Sequence, residues 1–338
     1  MKKSIKNLMM AAAIVALPFM FTSCEDIFGE WSRPAPNPVV PTPEPEPEPT
    51  PEPTMLETPL TLEAKEAGAV VTFKIFKDKV DVPKVIEYST DGGTTWTEGN
   101  TLPPGVSVTL THVGDKVMFR GTNAAYANDT HHNNISCSAD CYVYGNIMSL
   151  INKENFATNK ELTGDLTFSR LFFRNTKLLN HPTKTLELPA TTLTNNCYES
   201  MFEECTALTT APALPATTLK YGCYRQMFKE CTALTTAPAL PATQLADYCY
   251  WTMFYKCTAL QKAPKLPAMT LVEYCYTNMF SGCTKLNEAW VKAAYNNDNN
   301  ECGSMFDDCA TGGTLHTDGT GWTAGSTLPS VWTTTAYE

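Results

Sequence analysis

Four copies of one 26-residue unit run in register from Cys197 through Cys223 and Cys249 to Cys275, and this repetition constrains the chain more than any other feature. Each copy reads Cys-Tyr-x-x-Met-Phe-x-x-Cys-Thr-x-Leu, and three continue through x-x-Ala-Pro-x-Leu-Pro-Ala-x-x-Leu. A unit this short cannot bury its apolar face alone, so copies must stack and share one core. The product is a long scaffold surface rather than a deep pocket. Both edges of the array are degenerate, as terminal repeats are. Phe172, Phe173, Thr176 and Leu179 align with Met201, Phe202, Cys205 and Leu208 in a first, irregular copy, and Leu188 to Leu193 repeat Leu214 to Leu219 after a three-residue insertion. At the other end Met305, Phe306 and Cys309 keep register while Cys302 slips by one position, and a Gly-Thr-rich tail carrying Trp322 and Trp332 reads as a cap.

Within a repeat, the apolar spacing over Tyr198 to Glu204 predicts a short helix that buries Met201 and Phe202, followed by an extended segment from Thr209 to Pro215. Leu208, Leu214 and Leu219 mark inward positions. Pro212, Pro238 and Pro264 lack an N–H to donate, so any parallel sheet is expected to be thin or interrupted along that row. The repeat length lies in the range of leucine-rich-repeat solenoids. Phe202, Cys205, Leu208 and Leu214-Pro215, matched by Phe228, Phe254 and Phe280 with their followers, resemble the BspA-like leucine-rich repeats of bacterial surface proteins. The resemblance covers Gly145 to about Ala310, with Met where that family usually has Ala, cysteine for an apolar residue at Cys197 and its copies, and proline in the strand. It implies a solenoid used for adhesion or binding, with varied targets.

The ends suggest where such a protein works. Lys2, Lys3 and Lys6 precede an apolar run from Leu8 to Phe21, too short for a membrane span and suited to an export signal. Phe21-Thr22-Ser23-Cys24 resembles a bacterial lipobox, which implies lipidation of Cys24, and Glu25-Asp26 resemble the acidic tag of surface-exported lipoproteins of Bacteroides-type bacteria. From Arg33 to Pro59 proline dominates, centred on Pro43 to Pro49, and an extended polyproline stalk is expected. The formal charge of −10 argues against nucleic acid or anionic lipid as ligand.

Between about Leu56 and Tyr144 short alternating apolar runs, separated by turn clusters such as Asp91-Gly92-Gly93, read as a small antiparallel β-sandwich. The expected organisation is a lipoprotein signal peptide over 1–23, an acylated N-terminus and Pro/Glu-rich stalk over 24–55, a β-sandwich over 56–144, and a leucine-rich-repeat solenoid with C-terminal cap over 145–338. The fold class is mixed α/β. Ser89 to Trp96 fit the Asp-box pattern found once per blade in sialidase propellers, but a single copy reads as a tight turn. His131, His132, Cys137 and Cys141 supply zinc-type donors. Adjacent residues of a strand point to opposite faces, so they are read as a loop and a terminal strand, with no metal or other cofactor expected.

The paired repeat cysteines leave two readings open, intra-repeat disulfides or buried free thiols. No arrangement for catalysis stands out, and Glu203, Glu204 and Glu230 read as solvated helix faces, so no enzyme is expected. The variable aromatic positions Tyr221, Tyr248, Trp251, Tyr255 and Tyr274 are the candidate binding residues, with Trp251 and Tyr255 four apart on one helix face. The expectation is a monomeric outer-membrane lipoprotein, held in the membrane through Cys24 and exposed at the cell surface, binding a host extracellular protein or glycan. The alternatives are an envelope spacer or an accessory to glycan processing.

Overall fold

Alternation of apolar and polar residues over 60–146 produces eight strands: β1 (Leu60–Ala64), β2 (Ala69–Phe76), β3 (Val85–Ser89), β4 (Thr97–Asn100), β5 (Val106–Leu110), β6 (Lys116–Gly121), β7 (His132–Cys137) and β8 (Cys141–Asn146). These come from a computed structural model that describes residues 54–76 and 83–338. The expected signal peptide, Cys24 and the Pro-Glu centre of the stalk lie outside the described residues. In β5 Val106, Val108 and Leu110 are buried while Ser107 and Thr109 face water, the period of a half-buried strand. Strands pair antiparallel as β5-β2-β7 and as β8-β1-β6-β3-β4. The two sheets meet through Phe73 of β2 and Phe119 of β6, whose rings stand edge to face with centroids 5.5 Å apart.

The repeats contain no helix. Among the described residues there are fourteen strands, one 3-10 turn at Ile147–Leu150 and no α-helix, so the protein is nearly all β and the expected mixed α/β solenoid is overturned. Over 196–205 the chain is instead a run of successive turns with two alternating hydrogen-bond directions. The amides of Ser200, Phe202 and Glu204 donate to Arg225, Met227 and Lys229 of the next coil at 2.9, 2.9 and 2.8 Å. The intervening amides of Met201, Glu203 and Cys205 donate three residues back, to Tyr198, Ser200 and Phe202, at 3.2, 3.2 and 3.0 Å. An α-helix would direct every amide to the residue four back and leave none for the neighbouring coil. Every fourth residue makes the ribbon possible by taking positive φ, as Asn196 (51°), Ser200 (52°) and Glu204 (60°) do, and the pattern recurs in each coil through Asp308.

Stacking places like side chains over one another. Phe172, Phe202, Phe228, Phe254, Phe280 and Phe306 form a ladder with steps of 5.4, 5.4, 5.7, 5.6 and 5.8 Å, so the irregular first copy sits one residue out of the expected alignment, with Phe172 and not Phe173 matching Phe202. A second ladder runs through Phe168, Tyr198, Tyr224, Tyr250 and Tyr276, with steps of 5.7 to 6.1 Å. The repeat cysteines are buried free thiols, which decides between the two readings. Cys231, Cys257 and Cys283 each donate S–H to the carbonyl of Phe202, Phe228 or Phe254 in the preceding coil at 3.0 Å. Burial holds these thiols above their ordinary pKa, with Cys283 pushed up to about 12.

The proline row interrupts the sheet on the other side of each coil for the reason its missing donor implies. The first regular coils are joined there only by isolated bridges, Thr210 to Thr236 and Thr218 to Gln244. A continuous parallel sheet appears late, as β11 (Lys262–Leu266), β12 (Glu288–Val291), β13 (Gly312–His316) and β14 (Val331–Thr335), and the β11–β12 register shifts across Pro264.

Both ends of the stack are covered. Strands β9 (Leu178–Asn180) and β10 (Leu186–Glu187), from the irregular first copy, pair parallel with β8. The amides of Tyr126 and Ile135 donate to Thr167 and Leu171 of that copy at 2.8 and 2.7 Å. The two antiparallel sheets thus close the stack at its N-terminal end, and Tyr126 extends the second ladder at 6.5 Å from Phe168. At the other end Trp322 and Trp332 pack on Phe306 at 5.9 and 5.3 Å, each donating its indole N–H to a backbone carbonyl.

Replacing the mid-ladder ring, Phe228→Ala, should cost roughly 3 to 5 kcal/mol, because neighbouring coils held by their own hydrogen bonds cannot collapse into the gap. Chemical denaturation of the variant measures this. Thr252 is a β-branched residue at φ 53° where Asn278 stands in the next coil. Asparagine tolerates that backbone region better, so Thr252→Asn should stabilise the protein by about 1 kcal/mol, read as a higher Tm.

Candidate binding site: an aromatic patch across three coils

The turn ribbon decides which side chains reach solvent. The side chains of the ribbon that reach solvent lie at or just before its positive-φ positions, as Arg225, Tyr248, Trp251 and Tyr274 do, while Tyr198, Met201 and Phe202 with their copies point into the ladders. Outward positions recur every coil, so residues 26 apart become neighbours. One such column holds Asn196, Gly222, Tyr248, Tyr274 and Asn300. Tyr248 and Tyr274 stack at 4.6 Å with 21° between their planes. Gly222 breaks the column: a Cβ there would lie 2.1 Å from Asn196 Oδ1. The adjacent Tyr221, 43% exposed, fills the space and packs on Tyr248 at 5.2 Å.

Trp251 closes the group, edge-on to Tyr248 at 6.0 Å and to Tyr274 at 6.4 Å. The Arg225 guanidinium lies 4.4 Å over the indole, and its Nε is 3.8 Å from Glu199. Asn300 Nδ2 donates to the Tyr274 hydroxyl at 3.1 Å, fixing that ring from the following coil. The acids Asp247 and Glu273 are exposed beside the rings. Partial desolvation, and then the charge of Glu273, raise the Tyr248 phenol above its ordinary pKa, so it remains a neutral hydroxyl that donates and accepts. The patch therefore offers partly exposed aromatic faces, fixed by mutual contact, with carboxylates and hydroxyls at the rim.

The structure thus brings together four of the five aromatic residues singled out from the sequence. Tyr255 stands apart, in the column of Glu203, Lys229 and Ser281, with the Lys256 ammonium 5.1 Å from its ring. The helix face expected to unite Trp251 with Tyr255 does not exist, because residues 251–256 belong to the turn ribbon. Arg225 and Asn300 were missed by looking for aromatics alone. Their positions are 26 residues from Trp251 and from Tyr274, and that period is the signal that identifies them. Glu203 is not a solvated helix face: it is buried and bound to Lys229 at 2.7 Å.

The other motifs resolve into local structure. Asp91 accepts from the Thr95 amide at 2.9 Å and from the Thr95 and Ser89 hydroxyls, contacts that hold its carboxyl down at about 2. Gly92 and Gly93 take positive φ, and Trp96 caps the turn through Gly93 and under Arg120. His132 stacks on Phe76 at 4.8 Å, the His131 amide donates to Asn128 Oδ1, and Cys137 Sγ accepts from Asn175 Nδ2 at 3.4 Å. No group of three or more His, Cys, Asp or Glu that could hold a metal occurs among the described residues. Comparison with known proteins found no matching family model, no matching curated protein and no matching solved structure.

Proposed function

We propose that this protein is a surface-anchored binding lipoprotein that engages a host glycan or protein through the aromatic patch of Tyr221, Tyr248, Trp251 and Tyr274. The observation that carries this reading is the convergence of four rings from three successive coils into one contiguous, partly exposed cluster. In the regular coils the two internal ladders already supply a packed aromatic ring at every step. These four add a second set outside, where ring faces stack on sugars or anchor a protein partner. The rings restrain one another, so little side-chain entropy remains to be lost on binding. Anchoring through Cys24 and display on a proline-rich stalk would hold such a face away from the membrane; that part of the reading rests on the N-terminal motifs.

Glycan and matrix-protein arrays probed with the wild type identify the ligand class. Asn196 and Asn300 occupy the same column as Tyr248 and Tyr274, so the double substitution Tyr248→Asn/Tyr274→Asn removes two rings at positions whose backbone suits asparagine. The expected result is loss of array binding of about tenfold or more with an unchanged circular dichroism spectrum. Undiminished binding by the folded variant would move the site elsewhere, and an array with no hits would favour the spacer reading. For the anchor, Cys24→Ala should shift the protein from the membrane fraction to the soluble one; equal membrane association in the variant would contradict lipidation.

A further inference from the structure

A second site, independent of the aromatic patch, lies where the β-sheets meet the first coils. A cleft of about 630 Å³ opens there. One wall is aromatic. Phe76 stacks on His132 at 4.8 Å, and Phe173 stands edge-on to both at 5.9 Å. Arg170, Arg174 and Lys229, with Gln226 among them, supply a cationic part of the lining. Each cation has a carboxylate beside it: Glu199 lies 3.8 Å from Arg170, Glu204 2.9 Å from Arg174 and Glu203 2.7 Å from Lys229.

The cations are placed to accept a further anion. Arg174 uses Nε on Glu204 at 2.9 Å, which leaves the two terminal nitrogens of its guanidinium to a ligand. Arg170 is 3.8 Å from Glu199, and its side chain is 43% exposed. Both arginines occupy positive-φ positions of the irregular first coil, φ 59° and 60°, so the ribbon fixes where they project. The guanidinium of Arg174 also lies 4.7 Å over the Phe173 ring, joining the cationic part of the lining to the aromatic one. Volume, an aromatic wall and a few convergent donors are the features of a small-ligand site.

We propose that this cleft binds an acidic sugar: a hydroxylated ring bearing a carboxylate. The carboxylate pairs with Arg170 and Arg174, planar donors suited to bidentate contact. The less polar face of the ring lies against the aromatic lining, and its hydroxyls reach Gln226 and Thr130. The same chemistry is presented by a free acidic monosaccharide and by the terminal unit of a glycan chain.

Isothermal titration of the full chain with glucuronic acid, N-acetylneuraminic acid and neutral glucose tests this. Saturable binding of at least one acid at concentrations where glucose does not bind is expected, weakening as salt is raised. Arg170→Gln/Arg174→Gln should weaken binding about tenfold or more. Glu203→Gln removes one carboxylate from the cleft and frees Lys229, with which it is paired at 2.7 Å, so it should tighten binding about threefold, a gain that misfolding cannot mimic. An oligosaccharide ending in the acid, titrated in parallel, distinguishes the sources: tighter binding than the monosaccharide identifies a chain end, and equal binding identifies the free sugar. Absence of binding by either acid at about 10 mM, equal binding of glucose, or weaker binding by folded Glu203→Gln would overturn the proposal.

Discussion

Everything in the repeat region depends on the alternation of amide directions along the turn ribbon. Half of the N–H groups close turns within a coil and half are given to the coil that follows. A single coil would therefore leave every second amide and carbonyl of its buried ribbon unpaired, at a cost that no coil could meet alone. Stability must come from neighbours, and both termini of the stack need structures that accept or supply the missing partners. The antiparallel sheets do so at one end through the amides of Tyr126 and Ile135. At the other end Trp322 and Trp332 cover the last ring, and β14 completes the short parallel sheet. Residues Pro51–Glu338 accordingly form one compact unit with a continuous apolar core.

The ribbon also dictates the composition of the core. Coils joined by direct backbone hydrogen bonds put equivalent side chains one above another, so a planar ring in one coil is best covered by the same ring in the next. Two ladders result, one of phenylalanine and one mainly of tyrosine. Each fully buried ring is worth roughly 1.5 to 3 kcal/mol of transfer free energy. The thiol between ladder and ribbon is small enough to fit and donates to a carbonyl of the preceding coil, at 3.0 Å for Cys231 and Phe202. A disulfide within the repeat would remove that donor. Free cysteine is here a structural side chain.

The period, the inward side chains and the disruptive prolines were legible in the sequence, because each follows from residue type at fixed spacing. The ribbon was not. Cys197, Met201 and Cys205 recur every four residues, and over eight residues this differs from the helical period of 3.6 by less than one position. Apolar spacing therefore cannot separate two turns of helix from two units of the ribbon. Glycine would have revealed the positive φ values, but it stands at only two of these positions in the regular coils, Gly222 and Gly282. The remainder carry side chains as unlike as Tyr248 and Lys256 and bear the backbone cost, which the inter-coil bonds offset. The same misreading placed Tyr255 with Trp251, while Tyr221, Tyr248 and Tyr274 depend only on the coil period and do come together.

The ribbon separates the surface that can vary from the surface that cannot. The row of Leu208, Leu234, Leu260 and Leu286 is invariant along the stack, because each side chain must fit between its copies. The column of Glu199, Arg225, Trp251 and Thr277 differs at every coil, buried at Glu199 and Thr277 and partly exposed at Arg225 and Trp251, while backbone hydrogen bonds keep the coils in register. Four different chemistries therefore stand on one framework at a constant interval. The aromatic patch and the cationic cleft both draw on partly exposed positions, Trp251 and Arg225 for one and Gln226 and Lys229 for the other. A stack whose coils are joined by backbone hydrogen bonds and internal ladders can vary its partly exposed positions within one fold, which is the physical condition for a binding surface built from repeats.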